Sequence, residues 1–341
     1  MNESTFLQAF KGTNEQVPVW FMRQAGRYLP EYRKIKEKYS LQEMFTQPEL
    51  AAEITCQPIP ILNVDAAILF ADILTLPGAM GFDIHFDNQT GPAISNPLRK
   101  SADLKNIHDF ENLKHVTQSI KLVKAKLKDK VPLIGFAGSP FSVATYLIEG
   151  GSSLNHARTI RFMYEEKDAF HTLMKILTKN TVRYLKLQQE AGIDVYQIFD
   201  TWAGILRPAD FSTFVLPYVT EIFKEVKGPS IYFLKNTNYL LSLIEKIPAD
   251  FLSVDQTVVL GHHPILKTTK KGIQGNLFNG LLYTDQSLLK REVLDVLKGA
   301  AFHKKYIFNL SHGVFPDVNV DSLKFIVDCV HAFPWKIQKS R

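Results

Sequence analysis

Two arginines four residues apart, Arg23 and Arg27, follow a short apolar run, Pro18-Val19-Trp20-Phe21-Met22, with Gly26 between them. A guanidinium cannot shed its proton, so two held close call for anions. Arg33, Lys34, Lys36 and Lys38 deepen the positive field, and Glu31 alone cannot neutralise it. The chemistry that fits is capture of a ligand carrying several carboxylates or phosphates. The alternative is a solvated basic stretch with surface ion pairs, a common fate of Arg-x-x-x-Arg on helices. The glycine and the apolar run before it favour an anion site.

Asp72 comes directly after Ala66-Ala67-Ile68-Leu69-Phe70-Ala71, with no polar residue between. A carboxylate so placed either caps a helix or faces a ligand with N–H groups or positive charge. His312 lies in Asn309-Leu310-Ser311-His312-Gly313, where the glycine implies a tight turn. It is either a hydrogen-bonded structural histidine or a group aimed at a ligand.

Other chemistries are excluded. The chain has no G-x-x-x-x-G-K-[ST] phosphate loop, no G-x-S-x-G elbow and no H-E-x-x-H, and Gly135-Phe136-Ala137-Gly138 lacks the full dinucleotide fingerprint. His262 and His263 are adjacent and cannot easily face one metal from a strand. The two cysteines, Cys56 and Cys329, support neither a disulfide framework nor a Cys-x-x-Cys site and fit a reducing cytoplasm. No metal and no cofactor is expected. The formal net charge is +6, yet the lysines are scattered without aromatic interleaving, so no nucleic-acid partner is expected. The N-terminus lacks the basic and apolar regions of a signal, and no apolar run approaches a membrane span, so a soluble, untargeted protein is expected.

The elements that position these groups can be read from hydrophobic pattern. Eight short runs rich in Val, Ile and Phe are candidate buried parallel strands: residues 17–22, 66–71, 132–137, 195–200, 230–235, 251–255, 272–276 and 306–311. Helical stretches occupy 48–57, 168–191, 209–226, 237–247, 285–299 and 319–332, with Pro217 expected to kink the third. Residues 82–86 and 91–94 read as an inserted hairpin, and 149–153 as either a lid or a plain surface loop. Strand-then-helix repeated eight times in 341 residues predicts an α/β fold, a single (β/α)8 TIM barrel with insertions spanning 1–341. A doubly wound sheet would alternate similarly. The polar groups Arg23, Asp72, Ser139, Thr201, Asn236, Gln256 and His312 all fall just after strand ends, the rim where a barrel carries its active site. Ser139 and Asn236 read more simply as cap or turn residues.

Trp20-Phe21-Met22-Arg23-Gln24-Ala25-Gly26-Arg27-Tyr28-Leu29-Pro30-Glu31-Tyr32-Arg33 resembles the N-terminal signature of the uroporphyrinogen decarboxylase family. Gly135-Phe136-Ala137-Gly138-Ser139-Pro140-Phe141, running on to Thr145-Tyr146-Leu147-Ile148-Glu149-Gly150-Gly151, resembles its second signature. The likeness extends through Leu69–Leu74, Phe199–Gly204 and Asn309–Gly313. It implies a cytoplasmic, cofactor-free barrel, usually a homodimer, that converts the four acetates of uroporphyrinogen III to methyls in haem and tetrapyrrole synthesis. It further implies that Arg23, Gln24, Ala25, Gly26 and Arg27 form the substrate loop. Asp72 would hold the pyrrole N–H groups, and Tyr146, Thr201 and His312 would complete the cleft. Asp72 and Arg23 are the implied catalytic groups. The chain departs from the family at Ser311, usually glycine, at Gln256, usually tryptophan, and at Phe278-Asn279, usually Asp-Pro. Lys36 stands where arginine is frequent. Two rivals are a related zinc-dependent methyltransferase, for which no His-x-Cys cluster exists, and a non-catalytic tetrapyrrole carrier.

Overall fold

The computed structural model describes residues 3–87 and 91–335. Seven parallel strands lie in the order β1, β4, β5, β6, β7, β8, β9: β1 Ala67–Ile68, β4 Leu133–Gly138, β5 Val195–Asp200, β6 Ser230–Leu234, β7 Phe251–Ser253, β8 Gly272–Gln274 and β9 Tyr306–Ile307. An eighth stave closes the ring. Val19 forms a parallel bridge with Phe308, and on its other side its carbonyl accepts the Asp65 amide at 2.8 Å, just before β1. The fold is a (β/α)8 barrel, with helices on the outside and β2 Ile84–Asp87 and β3 Gly91–Ile94 as an antiparallel hairpin insertion.

The expected strands are present, and several are shorter than their apolar runs. Residues 17–22 pair regularly only at Val19, because Pro18 has no N–H and the Val19 N–H goes to the Asp65 carboxylate at 2.7 Å. The 66–71 run leaves the ladder after Leu69, whose N–H still reaches Ile134, because the Phe70 N–H is taken by Thr55 Oγ1 at 2.9 Å. The 306–311 run turns irregular where Asn309 Oδ1 accepts the Met22 and Leu310 amides at 3.2 and 2.8 Å. These early exits release the residues at the strand ends to face the mouth.

Three other expectations change in detail. The 209–226 stretch is two helices, Pro208–Phe214 and Leu216–Glu225, broken at Val215 with Pro217 in the first turn of the second. The 237–247 stretch shrinks to a 3-10 turn, Asn238–Leu240, and the short helix Leu241–Ile244, because the buried Asp255 carboxylate draws off the Asn236 and Thr237 amides. Residues 149–153 are tethered. Gly151 bridges Ala93, the Gly150 carbonyl accepts from Ile94, and the Glu149 carboxylate accepts from both Thr159 N and Thr159 Oγ1.

Trp20 is fully buried inside the barrel, while Tyr196 and Tyr232 are buried on the outer face of the sheet against Phe223 of the helix Leu216–Glu225, and Tyr306 against Trp335. A polar thread runs through the barrel interior: Trp20 Nε1 donates to Gln274 Oε1, and Gln274 Nε2 donates to Gln197 Oε1 and Ser253 Oγ, all within 3.0 Å. These bonds pair most of the buried polar atoms of the thread with one another, leaving Gln197 Nε2 without a partner among the described residues. Among the described residues no helix is long and apolar enough to cross a membrane.

Candidate active site

A cleft of about 390 Å³ opens at the strand C-terminal end of the barrel. Its floor is apolar, built by Phe136, Phe199 and Phe233 from β4, β5 and β6, with successive ring centroids 5.4 and 5.8 Å apart. The β2–β3 hairpin leans over it: Pro92 lines the cleft, and Phe86 packs on Phe45, another lining residue, at 5.4 Å. The polar groups at the mouth are Arg23, Asp72, Tyr146, Thr201, Lys235 and His312.

Asp72 answers both readings left open for it. Its Oδ1 accepts the Leu74 N–H at 2.8 Å and Thr75 Oγ1 lies 3.3 Å from its amide, so it shapes the turn into the helix Thr75–Ala79. Its carboxylate also faces the cleft, and among the described residues only Oδ1 has a protein donor. Burial pushes its pKa above the usual carboxylate value, opposed by the Leu74 N–H and by Arg23.

Arg23 takes a left-handed backbone, φ 61°, at the end of the first stave. A side chain at Gly313 would put its Cβ 2.5 Å from Arg23 Cδ, so the turn after His312 must be glycine for the guanidinium stem to lie across it. The loop is stapled to this turn: the Met22 carbonyl accepts from Val314 at 2.9 Å. His312 packs against Phe233 at 5.9 Å, and burial together with Arg23 and Lys235 lowers its pKa to about 3, so it is a neutral imidazole at the mouth.

Of the expected substrate loop, Arg23 and Ala25 line the cleft. Gln24, Gly26 and Arg27 do not. Gln24 is 1% exposed and turned inward, its Oε1 accepting from Phe21 N at 3.1 Å and its Nε2 donating to the Ala66 carbonyl at 2.9 Å. It ties the loop to the entrance of β1 and cannot reach a ligand as placed. Arg27 is exposed beside Tyr32 and Lys36 outside the lining, and Arg33 braces the same bend by donating to the Arg27 and Tyr28 carbonyls at 3.0 Å. The close arginine pair expected from spacing is therefore split, because Gly26 and the start of the helix Pro30–Lys36 turn the second arginine away from the first.

Tyr146, on the helix Pro140–Glu149, presents its ring to Trp202 at 6.1 Å, and burial raises its pKa. Thr201 and Trp202 are held by Asp200 beneath them. Ser142 Oγ donates to Asp200 at 2.6 Å and accepts from Trp202 N at 3.0 Å, while Tyr232 OH donates to the other carboxylate oxygen at 2.8 Å. Gln256 is exposed and Phe278 is exposed, both outside the lining. Ser311 and Asn279 touch each other: Ser311 Oγ accepts from Asn279 N and donates to Asn279 Oδ1, each at 3.3 Å. Proline at 279 would lack that N–H, so these two departures make one local change.

The residues that sequence reasoning missed are Lys235 and the phenylalanine floor. Lys235 ends the run 230–235, so the strand-end rule that selected Asn236 pointed one residue too far. Among the described residues no three His, Cys, Asp or Glu side chains converge as a metal site would require.

The family model for uroporphyrinogen decarboxylase matches residues 1–333. The chain is 46% identical over 337 residues to the uroporphyrinogen decarboxylase of Thermodesulfovibrio yellowstonii, which covers 97% of this chain and 98% of that one. The chain belongs to the uroporphyrinogen decarboxylase family. A further member, from Carboxydothermus hydrogenoformans, is 41% identical, with 97% of this chain and 96% of its own covered. Among solved structures, a methyltransferase from Methanosarcina mazei superposes with a TM-score of 0.79 at 20% identity, covering 96% of this chain and 98% of its own. That likeness is one of fold alone.

Proposed function

We propose that this protein is a uroporphyrinogen decarboxylase, a carboxy-lyase that removes the four acetate carboxyls of uroporphyrinogen III as CO2 and leaves methyls, giving coproporphyrinogen III. The observation that carries the reading beyond family membership is one juxtaposition: a half-buried carboxylate, Asp72, and a guanidinium, Arg23, share an aromatic-floored cleft. One barrel spanning 1–341 does the work, without metal or cofactor.

Losing CO2 leaves an electron pair that needs a sink, and the substrate supplies it. Protonating a pyrrole ring carbon makes that ring an iminium-like cation. The acetate C–C bond then breaks, its electrons flow into the ring and CO2 departs. The methylene left behind takes a proton to become methyl, and the ring carbon releases one. Positive charge therefore grows at the nitrogen of the reacting pyrrole in the transition state for ring protonation, and Asp72 stabilises it in a cleft where little water competes. The N–H groups of a docked macrocycle supply the donors that the second Asp72 oxygen lacks within the protein, offsetting the burial that disfavours its charge.

The cations act differently. A guanidinium gripping the reacting carboxylate would stabilise the ground state more than the transition state, which is losing that charge. Arg23 and His312 therefore anchor carboxylates that do not react in that round, His312 as a neutral N–H donor. Tyr146 and Thr201 offer hydroxyls along the same wall. Arg23 lines the same cleft as Asp72 and acts by placing a water that relays the proton, since guanidinium itself is too weak an acid to be a good direct donor.

The working form is a homodimer in the cytoplasm. Its support is that exposed apolar side chains, Ile205, Tyr239 and Phe278, all sit on loops leaving strand C-termini, and that both cysteines are free thiols. Anaerobic incubation with uroporphyrinogen III, followed by oxidation and counting of carboxyls on the porphyrin, tests the activity. A fall from eight toward four supports decarboxylation. Binding with the count left at eight would make the protein a carrier instead.

A further inference from the structure

Lys235 leaves the end of β6 and enters the cleft half-buried, and among the described residues its ammonium makes no ion pair and no side-chain hydrogen bond. An ammonium with no protein partner at the mouth of a cleft is free to meet an anionic group of the ligand. Its backbone is fixed with unusual care. The Asp255 carboxylate accepts from Asn236 N at 2.6 Å and from Thr237 N at 3.2 Å, the two amides that follow Lys235. On the other side the Lys235 carbonyl packs against Gly204, where a Cβ would sit 1.7 Å from that oxygen. Two neighbouring loops thus hold one lysine at a set depth. Arg23 and Lys235 both act on His312 electrostatically and all three line the cleft, so they form one cationic and N–H-donating group, with Arg23 also acting on Asp72.

We infer that Lys235, with Arg23 and His312, forms a subsite that binds a propionate carboxylate of the macrocycle in every round of decarboxylation. This rests on the decarboxylase reading for the substrate, and the choice of propionate follows from the reaction. Four acetates are lost in turn, so an acetate anchor would be consumed, whereas the propionates persist from first substrate to last product. A carboxylate that stays charged throughout is also the one a lysine can hold without stabilising the ground state selectively. The same subsite sets the orientation in which the opposite pyrrole edge meets Asp72.

The test uses the whole chain under anaerobic conditions and measures dissociation constants for uroporphyrinogen III and coproporphyrinogen III, which share propionates and differ in acetates. Lys235→Gln should weaken both by a similar factor, about tenfold, the scale of one charge-assisted hydrogen bond. Lys235→Arg should recover most of the loss, and the turnover number should fall far less than affinity. Equal thermal midpoints for the variants and the parent exclude misfolding as the cause. Affinities unchanged in Lys235→Gln would overturn the subsite. Weaker uroporphyrinogen binding with coproporphyrinogen binding intact would overturn the assignment to propionate. The binding constants are compared in chains that also carry Asp72→Asn, which suppresses turnover, so a parent chain that binds both porphyrinogens and releases no CO2 refutes the decarboxylase reading while the subsite is still judged by the same two constants.

Discussion

With Oδ1 committed to the Leu74 amide, the Asp72 carboxylate keeps its orientation in the free protein and has its other oxygen for the ligand. Asp72→Asn preserves the size and can still accept from Leu74 N–H, but carries no charge to meet the growing cation. Turnover should fall by about 10²–10³-fold, the usual loss when a single preorganised electrostatic group is removed, with KM changing far less. The same substitution has a pH signature in stability. Burial raises the folded-state pKa of Asp72, so ionising it costs the folded state as pH rises above the ordinary carboxylate value, and asparagine lacks that cost. The thermal midpoint of Asp72→Asn relative to the parent should therefore increase as pH is taken upward from about 4. A midpoint difference that is flat with pH would contradict the burial of this group. At Arg23 the informative variant is lysine: an unchanged rate and an unchanged solvent-isotope pH profile in Arg23→Lys would exclude an essential proton relay.

Between elements, the junctions that aim the mouth residues are side chains reaching across the barrel. Gln24 joins the substrate loop to the entrance of β1, so Gln24→Ala should lower stability by about 1–3 kcal/mol through unpaired backbone groups. Its signature is a drop in thermal midpoint that exceeds any direct loss of substrate affinity. The final helix, Val320–His331, is tied to the barrel closure because His331 Nε2 meets Asp65 at 2.9 Å, and Asp65 also holds Val19. The Asp65 contact raises the His331 pKa against the opposing effect of burial. A raised histidine pKa contributes stability that is full below the unfolded value and is lost as pH rises through the folded one. The destabilisation caused by His331→Ala should accordingly shrink as pH is taken upward from about 6.5. A loss of midpoint that grows with pH would refute the pairing. Ser311 and Asn279 form a third junction, and a double-mutant cycle between Ser311→Gly and Asn279→Ala should show a coupling near 1 kcal/mol.

Over the whole molecule, an apolar floor beneath a rim of charge lets one cleft hold a ligand that is aromatic in its body and anionic at its edge. The count of carboxyls remaining after anaerobic turnover is the measurement at this scale, with four as the expected end point. The alternation of buried runs and amphipathic helices specified parallel strands covered on both faces, which a barrel and a doubly wound sheet share, and closure through Val19 between Phe308 and Asp65 decided for the barrel. The alternation also placed Asp72, Thr201 and His312 at one rim, since all strand C-termini of such a barrel point the same way. Spacing failed at Gln24 and Arg27: neighbours in sequence share no common direction once a left-handed residue and a glycine turn the chain, so which of them faces the cleft is settled only by packing. Lys235 was hidden for a related reason, being the last residue of a run that otherwise reads as core. The residue types and their order by themselves determined an α/β chain of parallel strands and, through the two long signatures, the family and its chemistry. Tertiary structure alone decided which cations meet Asp72 across the cleft, because that depends on bends, glycine contacts and long-range hydrogen bonds that no local pattern encodes.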